Sequence, residues 1–541
     1  MTHGRKVVGW LLTAALTPAC LAQERPAASA AHAQADAARG ARIWDFTRTI
    51  SADSFEGRGT GTPGYDRAAA LVARELEALG LKPAGDRGYF QPVAFLSQRV
   101  LAAESSVALT GPGGTSQFAL PTEAFLTGRH AYPASLADVP LVFAGYGLSM
   151  PGTGHDDFAA VEVRGKIVVV IAGGPGAISG ARKAHARAER NRQLAARGAL
   201  GLITLTTAKQ IEIPWARAIG LSARPAVMLR DPAARDVGGA FFSAQVSPEA
   251  SERLFAGSAH SYAELAVLAD ASAALPRFDL AQRLSATVKT TSTPLTSANL
   301  VAVLPGRDPR LAREHVVVSA HLDGLGVGEP VDGDAIYNGT LDNGIGVASV
   351  LEIARDLSRA RQRPRRSVLF LIPTAEEAGL LGSRYFATHP TVPRTGLIAD
   401  INFDMPLPIF PLRTVTPIGY EESTLGEAAT TVAARFGLPV VPDPLPDRNV
   451  FIRSDQYSFI RAGVPSLFMK FGFAKDTPEA AVERAWRANL YHSPKDDPAQ
   501  PVMPAEIGTF TRYVSALVRT VADAPARPAW HARSIFAKPG S

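Results

Sequence analysis

At 541 residues the chain exceeds what a single hydrophobic core organises, so two or three domains are expected. Its formal charge of +6 is modest for this length, and the basic runs Arg182 to Arg197 and Arg359 to Arg366 carry no interleaved aromatic residues, which excludes a single-strand nucleic-acid binder. The one cysteine, Cys20, excludes a disulfide framework.

Met1–Ala22 starts with Arg5 and Lys6, continues through the apolar stretch Val7–Leu16 and closes on Cys20-Leu-Ala22 before Gln23. That is the pattern of a secretory signal peptide, and the apolar stretch is too short to span a membrane. Thr17-Pro-Ala-Cys20 is a poor lipoprotein box, so cleavage after Ala22 is expected in preference to anchoring at Cys20. The mature chain would then carry no cysteine, a charge of +4, and an address in the periplasm or outside the cell. Residues 23–40 are Ala-rich and expected to be disordered. Ser54-Phe-Glu-Gly-Arg-Gly-Thr-Gly-Thr-Pro-Gly64 precedes a helix expected from about Tyr65 to Leu79. No Gly-Lys-Ser/Thr signature follows these glycines, which excludes a phosphate loop.

Residues 139–280 read as a separate unit. Leu141–Gly147, Gly165–Ile171 and Gly198–Thr204 are short apolar strands separated by turns and by a basic helix whose arginines are expected on a solvated face. The unit holds no candidate catalytic cluster. Ser297–Val303 returns to a main sheet, and residues 281–525 alternate strands with helices. The tail, 526–541, is rich in Pro and Ala and expected to be loosely ordered. The fold class is α/β: a mixed, mostly parallel twisted sheet flanked by helices, interrupted by a small β-rich α/β unit. No segment after the leader reads as membrane-spanning.

The chemistry concentrates in the C-terminal half. His321 follows the β-branched run Val316–Val318, at the carboxyl edge where open α/β sheets place their sites. Asp323, two residues on, projects to the same side and is positioned to accept the hydrogen of the imidazole's second nitrogen. Asp342 precedes a helix marked by Val347, Val350, Leu351, Ala354 and Leu357, where an N-cap role competes with ligation. Glu376 and Glu377 leave the apolar strand Ser367–Ile372 and point in different directions, so one can bind a metal while the other stays free as a base. Asp404 closes another strand, and His492 lies in a loop. Two imidazoles and three or four carboxylates are the ligand set for two divalent metals of the zinc class.

Ala320-His-Leu-Asp323, Leu341-Asp-Asn-Gly344, Ala375-Glu-Glu-Ala-Gly379, Asn402-Phe-Asp-Met405 and Tyr491-His-Ser-Pro494 resemble, in order and spacing, the M28 family of co-catalytic zinc peptidases. Ser454-Asp-Gln-Tyr-Ser-Phe459 followed by Gly463-Val-Pro465 is similar to a further landmark of that family. The resemblance implies a zinc-exopeptidase fold in which His321, Asp342, Glu377, Asp404 and His492 hold two Zn²⁺, with Asp342 bridging through a cis bond to Asn343. It implies Glu376 as general base and Tyr491 as an oxyanion donor. It also implies that residues 41–138 begin the catalytic domain that 281–525 complete, and that 139–280 are an inserted protease-associated domain that shapes or covers the cleft. Gly324, Asn343 and Pro406 depart from the family pattern without removing a ligand, and bear on substrate preference.

The expectation is an exported aminopeptidase acting on peptide or protein N-termini. A carboxypeptidase or deacylase on the same scaffold, a non-catalytic receptor-like surface protein and an acyl-transferring glutaminyl cyclase are the alternatives.

Overall fold

The computed structural model describes Met1 and residues 30–150, 154–211 and 214–537. The leader expected over residues 1–22 therefore lies, Met1 apart, outside the described residues.

The chain enters through helix α1 (Ala30–Ile50), which corrects the expectation of disorder over 23–40 for its second half. The helix is weakly amphipathic, and its order comes from docking on the last long helix. Arg512 donates from Nε and Nη2 to the Asp36 carboxylate at 2.7 and 2.8 Å. Gly40 faces the Pro504 carbonyl so closely that a Cβ there would stand 1.6 Å from the oxygen. Backbones this close exclude any larger residue, and no local periodicity announces such a contact.

Helix α2 (Pro63–Ala78) starts where expected: Thr62 Oγ1 accepts from the Tyr65 amide, and Pro63 occupies the first turn, where its missing N–H costs nothing. It buries Tyr65, Ala68, Ala69, Val72, Ala73 and Leu76, one helical face. Strand β1 (Phe90–Val100) follows, and the chain then leaves the main sheet. An eight-stranded second sheet occupies the stretch from Ser106 to Thr287, with helix α3 (Gly180–Ala196) on it. One strand from this stretch, β2 (Ala226–Leu229), crosses back to pair with the outer edge of β1.

The main sheet resumes with β3 (Thr290–Leu304), β4 (His315–Ser319), helix α4 (Ile345–Ser358), β5 (Ser367–Ile372) and helix α5 (Leu381–Thr388). Then come β6 (Leu397–Phe403), β7 (Thr414–Ile418), helix α6 (Gln456–Arg461), β8 (Ser466–Gly472) and helix α7 (Pro504–Asp523). The sheet order is β2-β1-β3-β5-β4-β6-β8-β7, with a short strand Lys82–Pro83 also on β3. The expected parallel pairing holds for the four central strands β5-β4-β6-β8, and both flanks are antiparallel. Val316 and Val318 of β4 point into the core beneath α1, α2, α4 and α7, whereas Val317 points into the core beneath α5 and α6. Burial on both faces is why these central strands read as unbroken apolar runs.

The inserted unit is larger than the expected 139–280. β1 pairs with β3 along its whole length, from Phe90↔Leu300 to Val100↔Thr290, so the insertion runs from Val100 to Thr290. The hairpin Ser106–Gln117 pairs with Arg277–Thr287 and belongs to the insert. Its Gly- and Ser-rich wording hid it. Two arginines of α3 are also not on a solvated face: Arg187 donates to the Gly173 carbonyl and Arg190 to that of Tyr146, whereas Arg192 is exposed as expected.

The tail likewise departs from the expected loose order. Phe536 is buried against Phe451 and His185, and Trp530 Nε1 donates to the Gly463 carbonyl at 3.0 Å. Among the described residues no helix is long and apolar enough to cross a membrane.

Candidate metal centre

The five expected ligands converge at the carboxyl ends of the central strands. His321, Asp342 and Asp404 form one group, and Asp342, Glu377 and His492 a second, each with donor atoms within 4.8 Å of one another. Asp342 belongs to both. His321 Nε2 lies 3.3 Å from Asp342 Oδ1 and 3.6 Å from Asp404 Oδ1. His492 Nε2 lies 3.2 Å from both Asp342 Oδ2 and Glu377 Oε2. The two oxygens of Asp342 thus face the two imidazoles separately.

Each side chain is aimed by a neighbour that only the fold supplies. His321 lies two residues beyond β4, and its Nδ1 donates to the Asp323 main-chain carbonyl at 3.0 Å, which frees Nε2 for ligation. The Asp323 carboxylate is not the imidazole's partner, standing 3.9 Å away. It accepts instead from the amides of Glu376 and Glu377, at 3.0 and 3.3 Å, and from the Thr60 hydroxyl at 3.2 Å. Asp323 therefore holds the turn that presents the two glutamates, because donors facing a buried carboxylate outcompete a distant ring.

Asp342 lies in the loop before α4, and its bond to Asn343 is cis. Its amide and that of Leu341 donate to the two oxygens of Asp496, at 3.0 and 2.9 Å, so the N-cap reading gives way to a loop clamped from outside. Asn343 Nδ2 donates to the Phe403 carbonyl at 2.9 Å, and its Oδ1 accepts from the Met405 amide. The amide side chain grips both neighbours of Asp404. An aspartate in its place could not donate to Phe403, which gives this departure from the family pattern a local reason. Lys470 Nζ donates to the carbonyls of Asp404 and Met405, at 2.6 and 2.9 Å.

Sequence reasoning missed Asp496, Lys470 and Arg58. Asp496 follows His492 by four residues, just past the Tyr491–Pro494 segment. Arg58 sits in the Glu-Gly-Arg stretch, fully buried, and donates to the carbonyls of Leu322, Ile50, Asn338 and Gly339. It joins the His321 and Asp342 segments to the N-terminal part of the domain. Asp455, from the Ser454–Phe459 landmark, is also buried beneath the site.

The electrostatics fit cations. Burial lowers the Arg58 guanidinium to about 10 and the Lys470 ammonium to about 8. Against these two stand seven carboxylates. Burial, with Asp404 and Glu377 close by and His321 opposing, pushes Glu376 well above the ordinary carboxylate range. Burial likewise raises Asp455 and Asp496 to about 7 each. Burial opposes charge on His492, but Asp342 and Glu377 raise it to about 10. His321 Nε2 and Asp404 Oδ1 are buried and lack a hydrogen-bond partner among the described residues. Buried polar atoms are otherwise nearly always paired, so a nitrogen and an oxygen left open toward each other fit metal ligation.

Tyr491 stacks on His492 with ring centroids 3.8 Å apart, and Arg487 covers its ring at 4.9 Å. Burial raises its phenol, which therefore stays protonated as a donor.

Residues 299–518 match the model of peptidase family M28. Leupeptin-inactivating enzyme 1 of Streptomyces exfoliatus is 30% identical over 197 residues, 35% of this chain and 40% of that protein. Probable leucine aminopeptidase 2 of Aspergillus oryzae is 30% identical over 181 residues, 32% of this chain and 33% of that protein. The chain thus matches well under half the length of either relative. An aminopeptidase structure from Aneurinibacillus sp. strain AM-1 aligns with 94% of this chain and 98% of its own, at a TM-score of 0.49 and 19% identity.

Proposed function

We propose that this chain, which carries an M28 peptidase domain over residues 299–518, is an exported dizinc aminopeptidase that removes N-terminal residues from peptides. The observation that carries the reading is the pair of three-residue ligand groups sharing Asp342, beside a glutamate that joins neither group. Histidine nitrogens and carboxylate oxygens in two such groups suit two Zn²⁺, held by His321, Asp342 and Asp404 on one side and by Asp342, Glu377 and His492 on the other. When bound, paired metals polarise a carbonyl and acidify water.

The chain's own residues do the rest. Glu376 Oε takes the proton from the attacking water and hands it to the leaving amine. Asp323 keeps the Glu376 and Glu377 amides in register, so the two carboxyls hold different directions. The protonated Tyr491 hydroxyl is the donor for the oxygen that gains charge at the scissile carbonyl. The inserted unit, of the protease-associated kind, walls the approach, and the leader directs export.

The test is a screen of zinc-loaded protein against matched peptides with free and acetylated N-termini. Release of the first residue from free peptides alone is expected. Trimming of blocked peptides from their C-termini would replace the reading with a carboxypeptidase, and pyroglutamate formation would replace it with a cyclase.

A further inference from the structure

A cavity of about 210 Å³ lies between the inserted unit and the turn that carries the catalytic-site glutamates. Its catalytic-domain wall includes Ala378 and Gly379, and its opposite wall includes Arg129 and Arg235. Gly379 stands so near Arg129 that a Cβ added to it would lie 3.6 Å from Arg129 Nη1.

Arg129 differs from every other charged group there. Asp236 is neutralised twice, by Arg384 Nη1 at 2.8 Å and by Arg461 Nη2 at 2.7 Å. Arg235 is spent on the carbonyls of Leu229 and Arg230. Arg129 makes no hydrogen bond or ion pair among the described residues. Its main chain is nevertheless fixed: Gln98 Nε2, on β1 of the main sheet, donates to the carbonyls of Gly128 and His130 on either side of it, at 3.1 and 2.7 Å. A guanidinium offers five donors and no acceptor, and its planar fork matches a carboxylate. Here such a fork stands on a backbone tied to the sheet edge, lines a cavity with three arginines and one aspartate, and is exposed and unpaired among the described residues.

We propose that Arg129 binds a carboxylate of the peptide substrate one or two residues beyond the scissile bond. This rests on the aminopeptidase reading for its orientation. Glu376 gives its proton to the leaving amine, so the leaving side of the substrate lies beside Glu376, and the cavity wall begins two residues further along the same turn. The Gly379 amide donates to the Glu376 carbonyl at 2.8 Å, so the cavity wall and the glutamate share one tight turn, within the span of one or two residues of an extended substrate at about 3.3–3.6 Å each. The carboxylate is either the C-terminus of a di- or tripeptide or an acidic side chain of a longer one.

The test compares alanyl-alanine and trialanine as free acids, the same peptides as C-terminal amides, and alanyl-glutamate amidated at its α-carboxyl. Binding is measured by calorimetry on chelator-treated protein, which cleaves nothing, and kcat/KM on the zinc-loaded enzyme. Wild type is expected to prefer the acids over the amides by about 10–100-fold, the range of charge-assisted hydrogen bonds. In Arg129→Gln that preference is expected to fall to near one, and Arg129→Lys to keep part of it, with unfolding midpoints unchanged. Retention by alanyl-glutamate amide alone assigns the acidic side chain, and retention by the free acids alone assigns the C-terminus. Equal binding of acids and amides by wild type, or a preference that survives in Arg129→Gln, overturns the proposal. A binding preference without any turnover would keep Arg129 as a carboxylate site but overturn its placement beyond a scissile bond together with the aminopeptidase reading.

Discussion

Removing the Arg58 guanidinium tests whether the ligand loops depend on a strut from the N-terminal part of the domain. Arg58 is 0% exposed and donates to Leu322 at 2.9 Å, Ile50 at 3.1 Å, Asn338 at 2.6 Å and Gly339 at 2.8 Å. Leu322 adjoins His321, and Gly339 lies three residues before Asp342. In Arg58→Met the side chain fills much of the space but donates nothing, and at least three of the four carbonyls are left in buried surroundings. At about 1–3 kcal/mol for each buried acceptor left unpaired, the loss is about 3–9 kcal/mol. Domains are stable by about 5–15 kcal/mol, so the catalytic domain is expected to be severely destabilised. Arg58→Lys keeps a charge but not the fork, and should fall between the two. Urea denaturation followed by tryptophan fluorescence, together with zinc content after dialysis, measures the effect. If Arg58→Met unfolds within about 1 kcal/mol of wild type and retains its zinc, Arg58 is not the strut described.

Glu376→Gln is expected to lower kcat by about 10²–10⁴-fold with near-normal zinc content, and Glu377→Gln to lose zinc. Full activity in the first, or the reverse assignment of zinc loss, would refute the division of roles. In chelator-treated protein, stability is expected to fall as pH rises from about 6.5 to about 10. His492, opposed by burial but raised by Asp342 and Glu377 to about 10, contributes fully below its ordinary value near 6.5 and loses that contribution as it deprotonates. Burial raises Glu376 and Glu377, so ionising them in the folded state costs stability in the same direction. The denaturation midpoint against pH, with and without zinc, checks this. A midpoint that rises with pH across that window in the chelated protein would contradict the sign.

The candidate ligands were legible in the sequence because the chemistry of metal binding admits few residue types and their positions follow local pattern. Each of His321, Glu377 and Asp404 follows an apolar strand within five residues, and strand ends are where side chains meet above such a sheet. The helix of Pro63–Ala78 was legible for the same reason, since its cap and its buried face are both written within sixteen residues. What remained hidden depends on partners far apart in the chain. Asp496 reaches back 154 residues to the Asp342 amide, Arg58 forward 264 to the Leu322 carbonyl, and Asn343 across 60 to Phe403. The true edges of the insert at Val100 and Thr290 emerge only when β1 and β3 pair. Helix α1 gains its order from α7 at the other end of the domain. Asp323 shows the division most clearly: its place after His321 predicted a bond to the ring, yet the folded chain brings two glutamate amides and Thr60 to its carboxylate. Local sequence determines which groups can ligate and roughly where they emerge. Tertiary structure decides which acceptor each donor meets, because a buried carboxylate binds whichever N–H groups the packing of distant segments delivers to it.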